Sequence, residues 1–549
     1  MTHATSGRQD AIDFVNNIQA KVSAQEGNSL PVSAFTEYVD GTTPSGTSAY
    51  EKRGIAVNVP VWNPENCIQC NRCAYVCPHA AIRPVAMTEA EAAEAPAALD
   101  MTGMKEYKFA IAVSALDCTG CGSCANVCPG KKGVKALAME NMEANVASQK
   151  FFDYAVTLPE KEDVIAKFKE NTVKGSQFKQ PLLEFSGACA GCGETPYAKL
   201  ITQLFGDRMY IANATGCSSI WGNSSPSTPY TVNAKGQGPA WSNSLFEDNA
   251  EFGYGMLLAQ KAIRDGLKTK VEAVMESEKA SDEVKAACKE WIDTFSVGAT
   301  NGAATDKLVA ALEGCECDTC KEIVKNKDFL AKKSQWIFGG DGWAYDIGFG
   351  GVDHVLASGK DINIMVFDTE VYSNTGGQSS KSTPTGAIAQ FAAGGKETKK
   401  KDMASIAMSY GYVYVAQISM GADFNQTVKA IAEAEAYPGP SLIIAYAPCI
   451  NHGIKKGMSK AQTEEELAVK CGYWHNFRFN PAAENKFTLD SKAPASEDYQ
   501  AFLDGEVRYN SLKRSNPEKA ARLFAKNENE AKERYTYLNK LITLYGKED

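Results

Sequence analysis

"CIQCNRCAYVCP" at residues 67–78 and "CTGCGSCANVCP" at residues 118–129 share one cysteine spacing. Each stretch follows the pattern C-x2-C-x2-C-x3-C and ends in proline. Proline after the fourth cysteine ends the local helical turn. The chain has 17 cysteines among 549 residues, and a chain of this size in a reducing compartment needs no disulfide framework. Metal sites are therefore the first interpretation of these thiols.

The spacing is typical of [4Fe-4S] ferredoxins, in which the first three cysteines of a motif hold one cluster and the fourth holds the other. We therefore predict two clusters. The ligands of the first are Cys67, Cys70, Cys73 and Cys128, and those of the second are Cys118, Cys121, Cys124 and Cys77. The alternative is a zinc ribbon built from CxxC pairs. Zinc takes four ligands and has no use for the evenly spaced third cysteine, so we favour the two clusters.

The overall composition is that of an ordinary globular protein, with 44% hydrophobic and 22% charged residues. A net charge of -9 argues against a nucleic-acid binder, which would normally carry a basic face. No apolar run approaches the roughly 20 residues of a membrane helix. Residues 1–10 lack the basic and apolar regions of a secretory signal. We therefore expect a cytoplasmic protein without membrane contact.

The sequence divides into three predicted regions. Residues 1–60 are predicted to be a connector, and residues 61–150 a ferredoxin-type domain with two clusters. Residues 151–549 contain five apolar segments rich in β-branched or aromatic residues, which predict strands: "MYIANA", "QWIFGG", "INIMVFD", "YVYVAQI" and "SLIIAYA". Strands that are apolar throughout are typical of parallel sheets covered on both faces. The fold class is therefore α/β, a ferredoxin-like module followed by a doubly wound parallel-sheet domain with a helical C-terminal tail.

Polar residues follow two of the predicted strands. "GDGWAYDIG" follows one and "TEVYSNTGGQ" follows the next, so Asp341 and Thr369 should meet at the same sheet edge. This arrangement resembles the thiamine diphosphate motif, in which GDG is followed after about 25 residues by a dipeptide ending in Asn. Mg2+ would take the Asp341 carboxylate, the Thr369 side-chain oxygen and the Val371 carbonyl. The alternative is a plain strand-end turn, since Asp368-Thr369 stands where Asn-Asn is usual.

The candidate cofactor-binding residues surround these two turns. Gly340 and Gly342 would let the backbone approach the diphosphate. The full candidate set around the two turns is Gly340, Asp341, Gly342, Trp343, Thr369, Glu370, Val371, Tyr372, Ser373 and Asn374.

Four further cysteines converge on the same edge of the predicted sheet. Cys189 and Cys192 lie in "CAGCGETPY", Cys217 follows one predicted strand and Cys449 follows another. Four thiolates beside a diphosphate site suit a third [4Fe-4S] cluster. The alternative is that Cys217 and Cys449 are small buried apolar residues, as lone cysteines often are.

In these motifs the chain closely resembles the C-terminal half of pyruvate:ferredoxin (flavodoxin) oxidoreductase, also called pyruvate synthase. The resemblance starts near residue 10 and rests on the two cysteine motifs and on "SGACAGCGETPY", "ATGCSSIWG", "FEDNAEFG", "GGDGWAYDIG", "DTEVYSNTGGQ" and "APCINHG". It implies oxidative decarboxylation of a 2-oxo acid on thiamine diphosphate, acyl transfer to coenzyme A and release of single electrons to ferredoxin or flavodoxin. It also implies that Glu194 and Cys217 contact thiamine diphosphate, that Asn374 faces the substrate, and that the third cluster is held by Cys189, Cys192, Cys217 and Cys449.

The resemblance also implies that part of the active site lies elsewhere. In this family the carboxylate that activates thiamine, the substrate-carboxylate contacts and the coenzyme A contacts belong to an N-terminal half. We therefore expect that half as a partner, in an anaerobic enzyme that is a homodimer when complete. Two alternatives stay open: the same chemistry on another 2-oxo acid, or a subunit for electron transfer alone.

Three smaller features receive simpler interpretations. "GCECDTCKE" holds Cys315, Cys317 and Cys320, which could bind a metal together with Cys288, but an exposed insertion is favoured. "KETKKKD", residues 396–402, could receive an acidic ferredoxin, but a solvated face is favoured. His452, close to Cys449, could support the site from behind.

Overall fold

The computed structural model describes residues 4–223, 227–495 and 498–546. Within these residues the strands form one sheet of two strands, one of three and one of eight. The two small sheets belong to the region of the ferredoxin-type motifs, and the large sheet belongs to the region that follows. The predicted α/β class is thus confirmed.

Residues 4–57 contain several short helices and are tied to the large domain. They contain α1 (Gln9–Phe14), a π-helical turn (Val15–Gln19) and α2 (Ala20–Ser23). The Gly46 amide donates to the Tyr230 carbonyl at 2.7 Å. The Thr228 amide donates to Thr47 Oγ1 at 2.8 Å. This segment therefore packs along residues 228–230 of the large domain.

The cysteine motifs lie in a small module built on two antiparallel sheets. Its strands are β1 (Asn58–Trp62), β2 (Ile82–Met87), β3 (Leu99–Asp100), β4 (Lys108–Val113) and β5 (Leu137–Asn141). Strand β1 pairs with β5, and the other sheet has the order β2-β4-β3. One short helix follows the second cysteine of each motif: α3 (Arg72–Tyr75) and α4 (Ser123–Val127). The residue before each helix has a positive φ, which Gly122 adopts without strain.

Four helices connect this module to the large sheet. They are α5 (Met142–Asn145), α6 (Ser148–Ala155), α7 (Glu162–Phe168) and α8 (Val173–Ser176). Phe151 and Phe152 of α6 pack against Val85 and Ala110 in the sheet of the cysteine module.

The large sheet has the order β13-β12-β10-β11-β9-β8-β6-β7. Its strands are β6 (Met209–Ala214), β7 (Ala240–Ser244), β8 (Ser334–Gly340), β9 (Ile362–Asp368), β10 (Tyr414–Ile418), β11 (Pro440–Tyr446), β12 (Phe477–Phe479) and β13 (Phe487–Leu489). The pairs from β10 across to β7 are parallel, and β12 and β13 are antiparallel. All five predicted strands are therefore present.

Helices cover both faces of this sheet. They are α9 (Thr195–Phe205), α10 (Cys217–Gly222), α15 (Phe349–Ala357), α16 (Met403–Met408), α17 (Phe424–Ala436), α18 (Ala461–Cys471), α19 (Tyr499–Asp504), α20 (Val507–Ser515) and α21 (Pro517–Leu544). Alternate residues of β9 enter two different cores: Ile364 and Val366 enter one, Met365 and Phe367 the other. The sheet is therefore buried on both sides, which explains why its strands are apolar throughout.

A helical insertion separates β7 from β8. It consists of α11 (Asn249–Glu276), α12 (Asp282–Asp293), α13 (Gly298–Leu312) and α14 (Asp318–Lys325). These helices share their own apolar core, which includes Val271, Trp291 and Leu308. None of the helices in the described part of the chain carries the long apolar run required to cross a lipid bilayer.

Candidate functional site

The eight cysteines of the two motifs line two small cavities in the crossed arrangement that the spacing predicts. The first cavity is lined by Cys67, Cys70, Cys73 and Cys128. The second is lined by Cys77, Cys118, Cys121 and Cys124. Each motif therefore places its fourth cysteine beside the first three of the other.

Main-chain amides point at several of these sulfur atoms. The amides of Gln69, Gly120 and Ala136 donate to the sulfurs of Cys67, Cys118 and Cys128 at 3.3–3.4 Å. Burial raises the pKa of the Cys118 thiol to about 12, although the Gly120 amide opposes the shift. A buried thiolate needs a compensating cation, and amide hydrogen bonds to sulfur are usual around iron-sulfur clusters. The residues present thus fit two [4Fe-4S] clusters.

The four remaining candidate cysteines lie on three separate turns at one edge of the large sheet. Cys217 begins α10 just after β6, and Cys449 follows β11. Cys192 lies just before α9, and the next residue donates its amide to the Pro448 carbonyl at 3.1 Å. Cys189 is exposed. The turns of Cys217 and Cys449 meet at this edge because the parallel strands β6 and β11 present their carboxyl ends there.

Glycine allows the turns before Cys449 and after Cys192 to approach each other. A Cβ on Gly193 would lie 2.6 Å from the Pro448 nitrogen, which leaves no room for a larger residue. The turn that carries Cys189 and Cys192 also reaches the cysteine module. The Gly191 backbone lies near the Cys121 sulfur and lowers the pKa of that thiol, against the larger effect of burial. His79 Nδ1 lies 3.2 Å from the Ser186 carbonyl. The segment that carries Cys189 and Cys192 therefore lies beside the second cavity, which His79 and Cys121 help to line.

Three oxygen atoms converge where the sequence predicts a magnesium site. Thr369 Oγ1 lies 3.0 Å from Asp341 Oδ1 and 3.0 Å from the Val371 carbonyl. Asp341 also accepts the Thr369 amide at 3.1 Å and the Ser380 hydroxyl at 2.6 Å. Burial and the neighbouring Asp368 carboxylate raise the pKa of Asp341 well above its usual range. A carboxylate, a hydroxyl and a carbonyl form the oxygen set that Mg2+ prefers, so these residues fit a magnesium-bound diphosphate.

The neighbouring acidic residues have different partners. Lys400 Nζ lies 2.8 Å from Asp368 and 2.9 Å from Glu370. Arg508 Nη2 lies 2.8 Å from the Glu370 carboxylate, and the Tyr473 hydroxyl donates to the same carboxylate at 2.6 Å. Although burial opposes ionisation, Lys400 and Arg508 lower the pKa of Glu370 to about 2. Asp368 and Glu370 are thus held as paired carboxylates, which leaves Asp341 as the carboxylate free to meet a cation.

The structure corrects the prediction for the lysine-rich segment at residues 396–402. Residues 396–402 are a solvated face only in part: Glu397, Thr398 and Lys399 are exposed, whereas several of the lysines have structural partners. Lys396 donates to the Ser380 and Thr383 carbonyls at 2.7 and 2.6 Å. Lys401 lies 3.0 Å from the centre of the Phe349 ring. A run of lysines gives no indication of such partners, since the contacts arise from residues distant along the chain.

His452 joins the predicted magnesium site to the third cysteine set. Its Nε2 lies 2.7 Å from the Thr369 carbonyl, and the Cys449 amide lies 3.5 Å from its Nδ1. Burial and Arg508 lower the pKa of His452 to about 3, so the ring is neutral near pH 7. A neutral ring with its proton on Nε2 can donate to Thr369 and accept from Cys449. One imidazole therefore positions residues of both sites.

The other candidate residues lie around this edge. Cys217 Sγ is 3.1 Å from the Ser373 hydroxyl, and Asn374 is exposed beside it. Glu194 is buried and accepts the Trp221 indole at 2.6 Å, and burial raises its pKa to about 7. A Cβ on Gly342 would collide with the Tyr372 ring, whereas one on Gly340 would meet only the Phe367 carbonyl at 3.9 Å. Trp343 belongs to the core.

Models of known protein families match the regions of the chain that contain these residues. The model of the thiamine pyrophosphate enzyme C-terminal TPP binding domain matches residues 324–445. A 4Fe-4S double cluster binding domain matches residues 66–131, and a domain of unknown function called EKR matches residues 2–56. The chain therefore carries a thiamine diphosphate-binding domain and a double-cluster domain.

The chain is also similar to long curated proteins. It is 58% identical over 548 residues to a pyruvate-flavodoxin oxidoreductase of Enterobacter agglomerans, covering 96% of this chain and 46% of that protein. It is 56% identical over 546 residues to a pyruvate:ferredoxin oxidoreductase of Moorella thermoacetica, with the same coverage. The chain thus spans about half the length of these relatives. A solved 2-oxoglutarate:ferredoxin oxidoreductase of Magnetococcus marinus gives 16% identity and a TM-score of 0.28, covering 48% of this chain and 65% of that one.

Proposed function

We propose that this chain, which is homologous along 96% of its length to part of the pyruvate-flavodoxin and pyruvate:ferredoxin oxidoreductases, is the cofactor-binding and electron-transfer half of such an enzyme. The reaction is the oxidative decarboxylation of pyruvate with coenzyme A to acetyl-CoA and CO2. Single electrons leave through [4Fe-4S] clusters to ferredoxin or flavodoxin in the cytoplasm. The alternatives are another 2-oxo acid as substrate, or electron transfer alone.

One observation carries this proposal. The segment that holds Cys189 and Cys192 is linked to the cysteine module on one side, through Ser186 and His79, and to the Cys449 turn on the other, through Gly193 and Pro448. Cys217, from the same cysteine set, contacts Ser373 in the loop after the predicted magnesium ligands. A pure electron carrier would need no magnesium-diphosphate site, and a thiamine lyase without redox chemistry would need no cysteine module.

When bound, thiamine diphosphate supplies an electron sink for decarboxylation and the clusters supply one-electron chemistry. The chain's own residues hold and orient these groups. Asp341, Thr369 and Val371 would bind the Mg2+ that compensates the diphosphate. Glu194 and Cys217 would line the thiamine side, and Asn374 would face the substrate. Lys400 keeps Asp368 and Glu370 paired, so that these carboxylates do not compete for the cation.

The remaining part of the active site is proposed to belong to a complementary N-terminal half. It would supply the carboxylate that activates thiamine and the contacts to the 2-oxo acid carboxylate and coenzyme A. The complete enzyme would be a homodimer. Support comes from the chain's coverage, which is about half of its relatives.

The test is anaerobic complementation. The chain is mixed with an N-terminal half taken from one of the relatives, together with Mg2+, thiamine diphosphate, coenzyme A and a series of 2-oxo acids. We expect flavodoxin or ferredoxin to be reduced with pyruvate and more slowly with 2-oxoglutarate. Reduction by no 2-oxo acid, while dithionite still reduces the clusters, would favour the electron-transfer alternative.

A further inference from the structure

A further group of three cysteines lies in the helical insertion, away from the sites described above. Cys315, Cys317 and Cys320 occupy the turn between α13 and the start of α14. Gly314, with φ of +84°, reverses the chain just before them. The sequence favoured a plain exposed insertion here, but burial divides the three thiols. Cys320 is buried, Cys315 is partly buried against the core of the insertion, and Cys317 is exposed.

The three sulfur atoms converge on one point. All of them lie within 4.8 Å of one another, and Cys317 Sγ is 3.1 Å from Cys320 Sγ. A zinc ion with Zn–S bonds of about 2.3 Å in tetrahedral geometry sets its sulfur ligands about 3.8 Å apart. Small rotations of these side chains would therefore bring all three sulfurs onto one ion.

The backbone around Cys317 favours the thiolate form of that residue. The Cys320 amide donates to Cys317 Sγ at 3.3 Å, so Cys317 caps the eight-residue helix α14. An amide at a helix N-terminus stabilises a thiolate. Because Cys317 faces solvent, the fourth position of a tetrahedral ion would be open to water.

Other uses of these three cysteines fit the structure less well. A disulfide between Cys317 and Cys320 would leave Cys315 unused and would require an oxidant. A [4Fe-4S] cluster needs a fourth thiolate ligand. Cys288 on α12 is fully buried in the same core but does not lie within 4.8 Å of the other three.

We propose that Cys315, Cys317 and Cys320 bind one thiophilic divalent cation, Zn2+, through three thiolates with the fourth position open to water. Binding would displace the protons of the three thiols. The ion would fasten the turn between α13 and α14. It would be independent of the iron-sulfur and magnesium sites and of the function proposed above.

The test uses the full chain with its iron-sulfur clusters intact. The protein is incubated with Zn2+ under anaerobic, reducing conditions and desalted, and zinc and iron are then measured together. We expect about one zinc ion per chain at unchanged iron content. Cys315→Ser and Cys317→Ser should each lose the zinc, whereas Cys288→Ala in the same insertion should keep it.

X-ray absorption at the zinc edge gives a second measurement that needs no variant. We expect about three sulfur ligands at about 2.3 Å. A wild-type chain without zinc, zinc retained in both serine variants, or a shell of nitrogen and oxygen alone would overturn the proposal. A Cys317–Cys320 disulfide in the anaerobic protein would overturn it as well.

Discussion

Replacing Asp341 by asparagine tests the magnesium site most cleanly, because the two side chains have the same shape. Asp341 is fully buried and accepts two hydrogen bonds from Thr369 and one from Ser380. The asparagine oxygen can still accept from Thr369, and its amide can donate to the Ser380 hydroxyl, which both donates and accepts. The fold should therefore persist while the negative charge disappears.

The expected loss of affinity follows from the ligand set. Removing a residue that only supports a metal ligand typically costs about 10- to 100-fold in affinity. Asp341 is the proposed carboxylate ligand itself, since Asp368 and Glu370 are paired with Lys400. We therefore expect at least about 100-fold weaker binding of magnesium-thiamine diphosphate, or about 2.7 kcal/mol.

The assay is calorimetric titration of the anaerobic chain with thiamine diphosphate in excess Mg2+, with iron content measured in parallel. Asp346→Asn is the matched control, because Asp346 lies on the same turn and pairs with the exposed Lys381 at 2.7 Å. The control should bind within about twofold of wild type. If the Asp341→Asn variant binds as tightly as the control, the assignment of the magnesium site is wrong.

Three further predictions concern other parts of the chain. His452→Gln should weaken thiamine diphosphate binding by about tenfold and lower the iron content, because one ring supports both Thr369 and Cys449; unchanged values for both would show that His452 only fills space. Burial raises the pKa of Glu465 to about 8 from 4.5, so the folded chain holds this proton where the unfolded chain does not. As the pH rises from 4.5 to about 8, the contribution of Glu465 to the free energy of unfolding should fall by about 1.4 kcal/mol per pH unit. Glu465→Gln should remove this pH dependence from the denaturation curves. An equal pH dependence in both proteins would contradict a protonated Glu465. Finally, the chain alone should accept electrons from dithionite but not oxidise pyruvate with coenzyme A, since losing the activating carboxylate commonly costs about 10²- to 10⁴-fold and positioning is lost as well. Pyruvate oxidation by the chain alone would refute the need for a second half.

Much of the fold could be predicted because its strands are buried on both faces. β6 and β9 match "MYIANA" and "INIMVFD" residue for residue. β7 was missed because "AWSNS" is polar and partly exposed at the sheet edge, and β12 and β13 because they have three residues each. Local apolar pattern thus reveals central strands and not edges.

The candidate functional site could likewise be predicted only in part. Cysteine spacing predicted which thiols share a cavity, because cluster geometry fixes the distance between ligands along the chain. The partners of Asp368 and Glu370 could not be predicted in this way. Lys400 reaches both carboxylates from the segment before α16, and Arg508 reaches Glu370 from α20. A lysine run or a lone arginine does not indicate burial.

The central claim is that the Cys189, Cys192, Cys217 and Cys449 set couples the thiamine site to the cysteine module. Its most direct test is rapid mixing of the complemented enzyme with pyruvate and coenzyme A, following the iron-sulfur absorbance without an external acceptor. Wild type should hold about twelve irons per chain and bleach on adding pyruvate. Cys449→Ser should hold about eight, bleach with dithionite and stay oxidised with pyruvate. Bleaching by pyruvate at the wild-type rate in Cys449→Ser would contradict the coupling.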